Sequence, residues 1–449
     1  MTYSATASAE EANNLTPQPR VLVISHNVFS ASGNMGKTME SLLGGVEPEH
    51  LAQLYFHSEV PTRRCCLRYF RVTDRDMLRS VPLRRPVGRA YGPDDIDQGR
   101  AVSRTDQGLE ARVYQFSRRR TPLIYLLRDL LWRLGRWDTP ALRAWIQSFQ
   151  PDVIFFSAGD YTFSYRIACR ISRRYGIPML MWCCDDYYIA AKRTLSPLYH
   201  LHRRSLLQWA RRAASQSPML LTISREMQED YAALFGVPAE TVRIPVAMNP
   251  CAMPPEQRKG VVYAGNLGLH RIEPLLELGR ALHRGNVPGC QHIDVYSGER
   301  NDETLRRLRS AEGILFHGAL PGQDIPALLG RAKYLVITEA FDKATRQRTH
   351  YSLSTKIGES LASGACIVAY GPEEISSMRY LAAYQAACML HRAEDAPSQL
   401  RWLEENPVLY QGYAQRAAAL ASRAHDPQTN RQTVCRLLWQ VWKFGRRQT

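Results

Sequence analysis

The sequence predicts an α/β protein made of two Rossmann-like, doubly wound domains facing each other across a cleft. Three observations carry this. Short apolar runs alternate with helical patterns from Val21 to Ala247, and strands alternating with helices imply parallel sheet with crossover connections. A proline-rich stretch without periodicity, MNPCAMPPEQRKG (248–260), then interrupts the alternation. Beyond it the alternation restarts at Val261 over a second unit of similar size. Two such sheets joined by a linker create a crevice between strand ends, where open α/β sheets bind ligands.

The elements follow in order. Residues 1–19 are polar, lack the apolar run of an export signal and read as a loose tail, which points to the cytoplasm. VLVISH (21–26) reads as a buried strand, and FSASGNMGKTMESLL (29–43) as a glycine loop entering a helix. Residues 60–110, rich in Arg, Pro, Gly and Asp, read as long loops. The run RVYQFSRRRTPLIYLLRDLLWRLGRW (112–137) puts Leu123, Leu126, Leu127, Leu130, Leu131 and Leu134 on one broad helical face. Arg118, Arg119 and Arg120 lie ahead of that face, and Arg128, Arg133 and Arg136 lie beside it. Such a pattern fits either a helix on its own core with a basic rim or an interfacial helix on anionic lipid. PDVIFFSAG (151–159), IPMLMWCCDD (177–186), PMLLTIS (218–224) and VRIPVA (242–247) read as further strands.

The first domain is thus expected over 20–248, the linker over 249–260 and the second domain over 261–408. The second domain's strands are VVYAG (261–265), HIDVYSG (292–298), ILFHG (314–318), YLVITEA (334–340) and CIVAYG (366–371), with helices between them. A helical segment over 409–449 is expected to return to the first domain.

Composition narrows the function. The 449 residues are 45% hydrophobic, enough for two full cores. No apolar stretch is long enough to span a membrane. The ten cysteines show no C-x-x-C spacing, so reduced thiols are expected and zinc is not. Of the net +16, residues 1–217 carry +12, with 31 Lys and Arg against 19 Asp and Glu. Such a basic half suits nucleic acid, anionic lipid or phosphorylated small molecules. Ala31–Thr38 reads A-x-x-x-x-G-K-T, one residue short of a nucleotide triphosphatase loop. It starts well beyond the strand end at Ser25, and VIFFSAGD is the only candidate for the magnesium-binding strand. A P-loop-like nucleotide- or nucleic-acid-binding protein without transferase activity is therefore the alternative reading, although no base-reading motif is present.

Four segments carry a resemblance. LLTISREMQEDYAALFGVPAETVRIPVAMNP (220–250), YAGNLGLHRIEPLLELGRAL (263–282), ILFHGALPGQDIPALLGRAKYLVI (314–337) and SLSTKIGESLASGACIVAYG (352–371) occur in the order and spacing of one family. Together they resemble the nucleotide-sugar glycosyltransferases of the two-Rossmann GT-B type, specifically the large retaining family 4. The resemblance implies an N-terminal acceptor domain and a C-terminal donor domain that close on donor binding. It implies transfer of a hexosyl unit from a UDP- or GDP-sugar to a hydroxyl of a glycan or lipid-linked acceptor, in polysaccharide or glycoconjugate biosynthesis. No metal, cofactor or nucleic acid is implied. A place on the inner face of the cell membrane fits the basic stretch.

The resemblance also implies roles. Gly33 and Gly36 would let backbone approach donor phosphates and acceptor. Gly265 and Asn266 would form the donor turn, with Asn266 where many members carry an Arg. Arg271 would meet the diphosphate, and Lys356 would replace the missing cation. Glu359 matches the family's ribose-binding carboxylate. The family's second Glu falls on Tyr351, so Glu339, at a strand end, is the substitute candidate catalytic group. The insertion 341–351 would form a loop over the donor, with Arg346 and Arg348 either reaching phosphate or exposed. Asp185, Asp186 and His26 are the acceptor-side catalytic candidates. The two carboxylates equally suit turn capping, and the histidine equally suits a structural place.

Overall fold

The computed structural model describes residues 18–30, 34–83, 87–97, 121–191, 194–246 and 253–447. Contacts divide the chain into two compact units. The first comprises residues up to Thr222, then 228–242 and everything from Arg431 on; the second comprises 223–227 and 243–430.

The first unit is built on eight strands: β1 (Val21–Ser25), β2 (Leu51–Tyr55), β3 (Arg68–Arg71), β4 (Arg89–Tyr91), β5 (Val153–Ser157), β6 (Met179–Trp182), β7 (Leu220–Thr222) and β8 (Ala239–Thr241). Their order is β4-β3-β2-β1-β5-β6-β7-β8. Only the β3–β4 pair is antiparallel. The strand order reverses between β1 and β5, the mark of a doubly wound sheet. β1 and β5 are continuous apolar runs because both sheet faces are covered.

Four strands of this unit depart from the sequence expectation. β2, LAQLY, is interrupted by a polar residue, yet Gln53 is fully buried. Its side-chain amide donates to Ser25 Oγ at 2.8 Å and to the Asn27 carbonyl at 3.0 Å, and its oxygen accepts from Phe29 N at 3.1 Å. That glutamine therefore pins the loop that follows β1. β3 and β4 fall inside the stretch expected to be long loops, as do the helices Asp74–Leu83 and Pro93–Asp97. β3 has arginine at both ends and only two buried residues between them, so no apolar run announces it. β8 lies just ahead of the expected VRIPVA strand.

The leucine-rich run forms the helix Pro122–Leu134, started by Thr121, whose hydroxyl accepts from Ile124 N. Its buried side is Ile124 and Trp132, with Trp132 stacked on Phe163 at a centroid distance of 4.1 Å. Leu123, Leu127, Leu130 and Leu134 are exposed, so the reading of this leucine face as a core face is overturned. Arg118, Arg119 and Arg120 lie outside the described residues.

The second unit holds β9 (Lys259–Ala264), β10 (Ile293–Tyr296), β11 (Ile314–Gly318), β12 (Ala332–Thr338), β13 (Cys366–Tyr370) and β14 (Cys388–Leu390). They are ordered β11-β10-β9-β12-β13-β14, all parallel, with the reversal between β9 and β12. The insertion expected as a loop is instead the helix Lys343–Thr349, because Asp342 caps it by accepting from Thr345 N at 2.9 Å. The C-terminal segment is two helices, Pro407–Ala424 and Pro427–Arg446, rather than one. None of the described cysteines is bridged.

The break between those two helices holds a buried histidine. His425 faces the Ile244 carbonyl at 3.0 Å through Nδ1 and the Tyr380 hydroxyl at 3.1 Å through Nε2. Desolvation pushes its pKa from 6.5 down to about 4. A depressed histidine pKa means the unfolded chain binds the proton first. Stability is therefore full above pH 6.5 and is lost as pH falls toward 4, by about 3 kcal/mol. Thermal unfolding between pH 7 and 4 is expected to show this slope in the native chain and a shallower one in His425→Gln. Equal slopes in both would remove His425 as the cause.

Candidate active site

At the switch point of the second sheet, the ends of β9 and β12 and the helix Thr355–Ala362 line a pocket that opens to solvent. The loop after β9 is tightly held. Gly265 N donates to the Tyr296 carbonyl at 2.9 Å, and the Tyr263 hydroxyl donates to the Asn266 carbonyl at 2.8 Å. Asn266 turns back on its own loop, its side-chain oxygen accepting from Gly268 N at 2.5 Å. Leu269 and His270 follow with φ of 60° and 55°. Two consecutive non-glycine residues in the left-handed region are uncommon and characteristic of functional loops. They deliver Arg271 to the start of the next helix.

Arg271 forms a bidentate ion pair with Glu339, which follows β12: Nε to Oε2 and Nη2 to Oε1, both 3.1 Å. Glu339 is 1% exposed. Burial works against the Arg271 charge, but the carboxylate outweighs it and raises the guanidinium pKa. The pair is therefore close to neutral. Lys356, in the first turn of the helix Thr355–Ala362, donates to the Ala264 carbonyl at 3.0 Å. A Cβ on Gly265 would lie 3.2 Å from Lys356 Nζ, so the glycine makes room for the amine. Burial pushes the Lys356 pKa down; Glu359 opposes that shift and Arg271 adds to it. Glu359 lies one turn further along the same helix and is exposed to the pocket mouth. The result is a half-buried cation beside a neutral pair, with a carboxylate at the rim: a site for an anion that also carries hydroxyl groups.

In the first unit, the switch point lies between β1 and β5. His26 follows β1, His57 follows β2, Asp160 and Tyr161 follow β5, and Asp185 follows β6. The His26 ring lies 4.5 Å from Tyr161 and 5.6 Å from His57, centroid to centroid. His57 Nδ1 is 3.7 Å from Glu59 Oε2, and Glu59 accepts from the Ser30 hydroxyl. The Arg128 guanidinium sits 4.1 Å above the Tyr161 ring, and the Tyr125 hydroxyl donates to Asp160. Imidazoles beside a carboxylate on an aromatic floor suit proton transfer from a hydroxyl.

Two glycosyltransferase family descriptions match the chain: Glycosyltransferase Family 4 over residues 100–247 and Glycosyl transferase-like over 272–436. The chain is a glycosyltransferase of the GT-B fold. No curated protein matches its sequence. Among solved structures it is similar to Anabaena Alr3699/HepE, crystallised with UDP, at a TM-score of 0.59 and 11% identity over 94% of this chain and 100% of that one. Sucrose-phosphate synthase from Thermosynechococcus elongatus gives 0.59 and 12% over 95% and 100%. The trehalose 6-phosphate synthase of Burkholderia multivorans gives 0.55 and 12% over 94% and 99%. At these identities the likeness establishes the fold.

Within this glycosyltransferase, Asn266, Arg271, Glu339, Lys356 and Glu359 line one pocket, and Gly265 adjoins it. Glu339, the substitute catalytic candidate, engages Arg271 through both carboxylate oxygens. Asp186 is likewise committed. Its carboxylate accepts from the backbone N of Tyr188, Ile189 and Ala190 and from the Tyr231 hydroxyl at 2.8 Å. It caps the loop after β6, the alternative its sequence context allowed, while Asp185 remains exposed beside it. The close approach that Gly36 permits is to the chain's own backbone: a Cβ there would lie 2.5 Å from Val28 O and 2.6 Å from Ser30 N. Gly33 lies outside the described residues. Arg346 is paired with Glu374, and Arg348 is exposed. Sequence reasoning missed His57, Glu59 and Tyr161. The first two follow a strand that was not recognised, and no spacing motif marks the third.

Proposed function

We propose that the enzyme transfers a hexosyl unit, with retention, from a UDP- or GDP-sugar to a hydroxyl of a glycan or lipid-linked acceptor. The observation that carries this reading is the Arg271–Glu339 pair with Lys356 and Glu359 at the second unit's switch point. Lys356 and Arg271 bind the diphosphate, and Glu359 accepts hydrogen bonds from ribose hydroxyls. When the glycosidic bond breaks, negative charge gathers on the leaving phosphate. Fixed cations there stabilise that charge more in the transition state than in the ground state. These side chains meet the diphosphate charge without a bound metal or cofactor. Glu339 holds the Arg271 guanidinium in a fixed orientation. On the acceptor side, Asp185 and the His26–His57 pair with Glu59 position the hydroxyl and receive its proton. A role in polysaccharide or glycoconjugate assembly on the cytoplasmic side of a membrane follows from such acceptors. The Anabaena protein of like fold was also crystallised with UDP-glucose, which supports a uridine donor.

Thermal shift against a panel of UDP-, GDP- and ADP-sugars, ATP and duplex DNA tests the reading. A donor at 100 times its Kd adds about 2.7 kcal/mol of stability. The expected result is a rise in Tm with one sugar-nucleotide class, reduced in Glu359→Ala. A response to ATP or DNA alone would overturn the reading.

A further inference from the structure

The helix Pro122–Leu134 lies between two others in the first unit. Arg128 Nε and Trp132 Nε1 donate to Asp74 Oδ1 of the helix Asp74–Leu83 at 2.9 and 2.6 Å. On the other side, the Tyr125 ring stacks on His202 of the helix Pro197–Ala214 at 4.5 Å. Each of the three helices also carries large apolar residues that the other described residues leave exposed. Leu123, Leu127, Leu130 and Leu134 form a stripe along the middle helix at helical spacing. Leu78 and Val81 continue it on one neighbour, Leu198 and Leu201 on the other, and all eight are between 39% and 61% exposed. Singly exposed leucines are ordinary; eight on three adjacent helices form a patch that monomeric surfaces rarely show.

The charges that the three helices set beside these residues have one sign. Arg75 shares a face with Leu78, Arg133 lies between Leu130 and Leu134, and Arg204 shares a face with Leu201. The three helices carry only three carboxylates, and each is bonded within the fold. Asp74 accepts from Arg128, Asp76 accepts from Thr73, and Asp129 pairs with Arg166. No helix among the described residues is long and apolar enough to cross a membrane. We infer that this three-helix face is an in-plane docking surface for an anionic lipid bilayer, with the leucines entering the acyl boundary and the arginines meeting the headgroups. An apolar stripe whose own helices set arginines beside it fits that occupant. A protein partner or a second copy would have to place its own carboxylates over those arginines.

Cosedimentation of the full chain with vesicles tests this, using phosphatidylglycerol mixed into phosphatidylcholine against phosphatidylcholine alone. The native chain is expected to pellet with the anionic vesicles and to be released by raised salt. Reversing Arg75, Arg133 and Arg204 to Glu is expected to lower the partition coefficient on the order of 100-fold. Leu127→Glu with Leu130→Glu is expected to abolish binding while the melting transition and the donor-induced thermal shift persist, which separates docking from folding. A native chain that stays in the supernatant with both vesicle types would overturn the inference. So would a dimer in light scattering that the leucine variant dissolves without any vesicle binding, or leucine variants that pellet like the native chain.

Discussion

Replacing Glu339 with Ala is expected to destabilise the second unit by about 3–5 kcal/mol, the effect of removing one partner from a buried ion pair. The carboxylate is nearly inaccessible and holds the Arg271 guanidinium in two hydrogen bonds. Its loss leaves an uncompensated cation in the pocket wall. Glu339→Gln keeps the shape and one acceptor, so its effect on stability is expected to be smaller. Denaturant unfolding of both variants checks the stability term. The kinetics then distinguish positioning from catalysis. If Glu339 acts through Arg271, the Gln variant is expected to lose donor affinity, with KM rising more than kcat falls. A kcat collapse at unchanged KM would instead return Glu339 to a direct part in the chemistry.

Lys356→Ala is the second large effect. It removes the cation that Gly265 makes room for and that burial leaves poorly hydrated. Hydrogen bonds to charged groups contribute about 1.5–3 kcal/mol, so donor affinity is expected to fall roughly 10- to 150-fold. The fold should survive, because the lost bond ends on one backbone carbonyl at the pocket edge. The pH dependence has a sign as well. The Lys356 pKa in the folded chain lies below 10.5, so donor affinity is expected to fall on the alkaline side sooner than for an ordinary lysine. Lys356→Arg, whose side chain stays charged, is expected to extend binding to higher pH. Identical alkaline limbs for the native chain and Lys356→Arg would show that another group sets them.

Much of the fold is legible in the sequence where strands are buried on both faces. VLVIS, VIFFS, MLMW and, in the second unit, CIVAY are apolar runs between glycine or proline punctuation. What escapes are strands whose partners lie elsewhere in the chain. Gln53 looks like a break in β2 until the loop after β1 folds over it. β3 and β4 hold their places by pairing at a sheet edge, which local periodicity does not encode. The leucine face of Pro122–Leu134 shows the opposite limit. Periodicity locates the face, but only the packing of Ile124 and Trp132 tells which side is inward.

The residues that line the second unit's pocket stand out in the sequence because their order along the strand–turn–helix unit is local: Asn266 and Arg271 in one segment, Lys356 and Glu359 in another. Their electrostatics are not local. That Arg271 is neutralised by Glu339, 68 residues away, depends on the ends of β9 and β12 lying side by side. The same holds for Asp186. In sequence it is one of two adjacent acids, and in the fold four hydrogen bonds make it a loop cap.

A crystal structure with a bound nucleoside diphosphate sugar tests the central claim most directly. The diphosphate is expected against Lys356 and Arg271 and the ribose hydroxyls on Glu359, at the switch point between β9 and β12. A nucleotide seated instead on Lys37 and Thr38, in the first turns of the helix Asn34–Leu43, would contradict it.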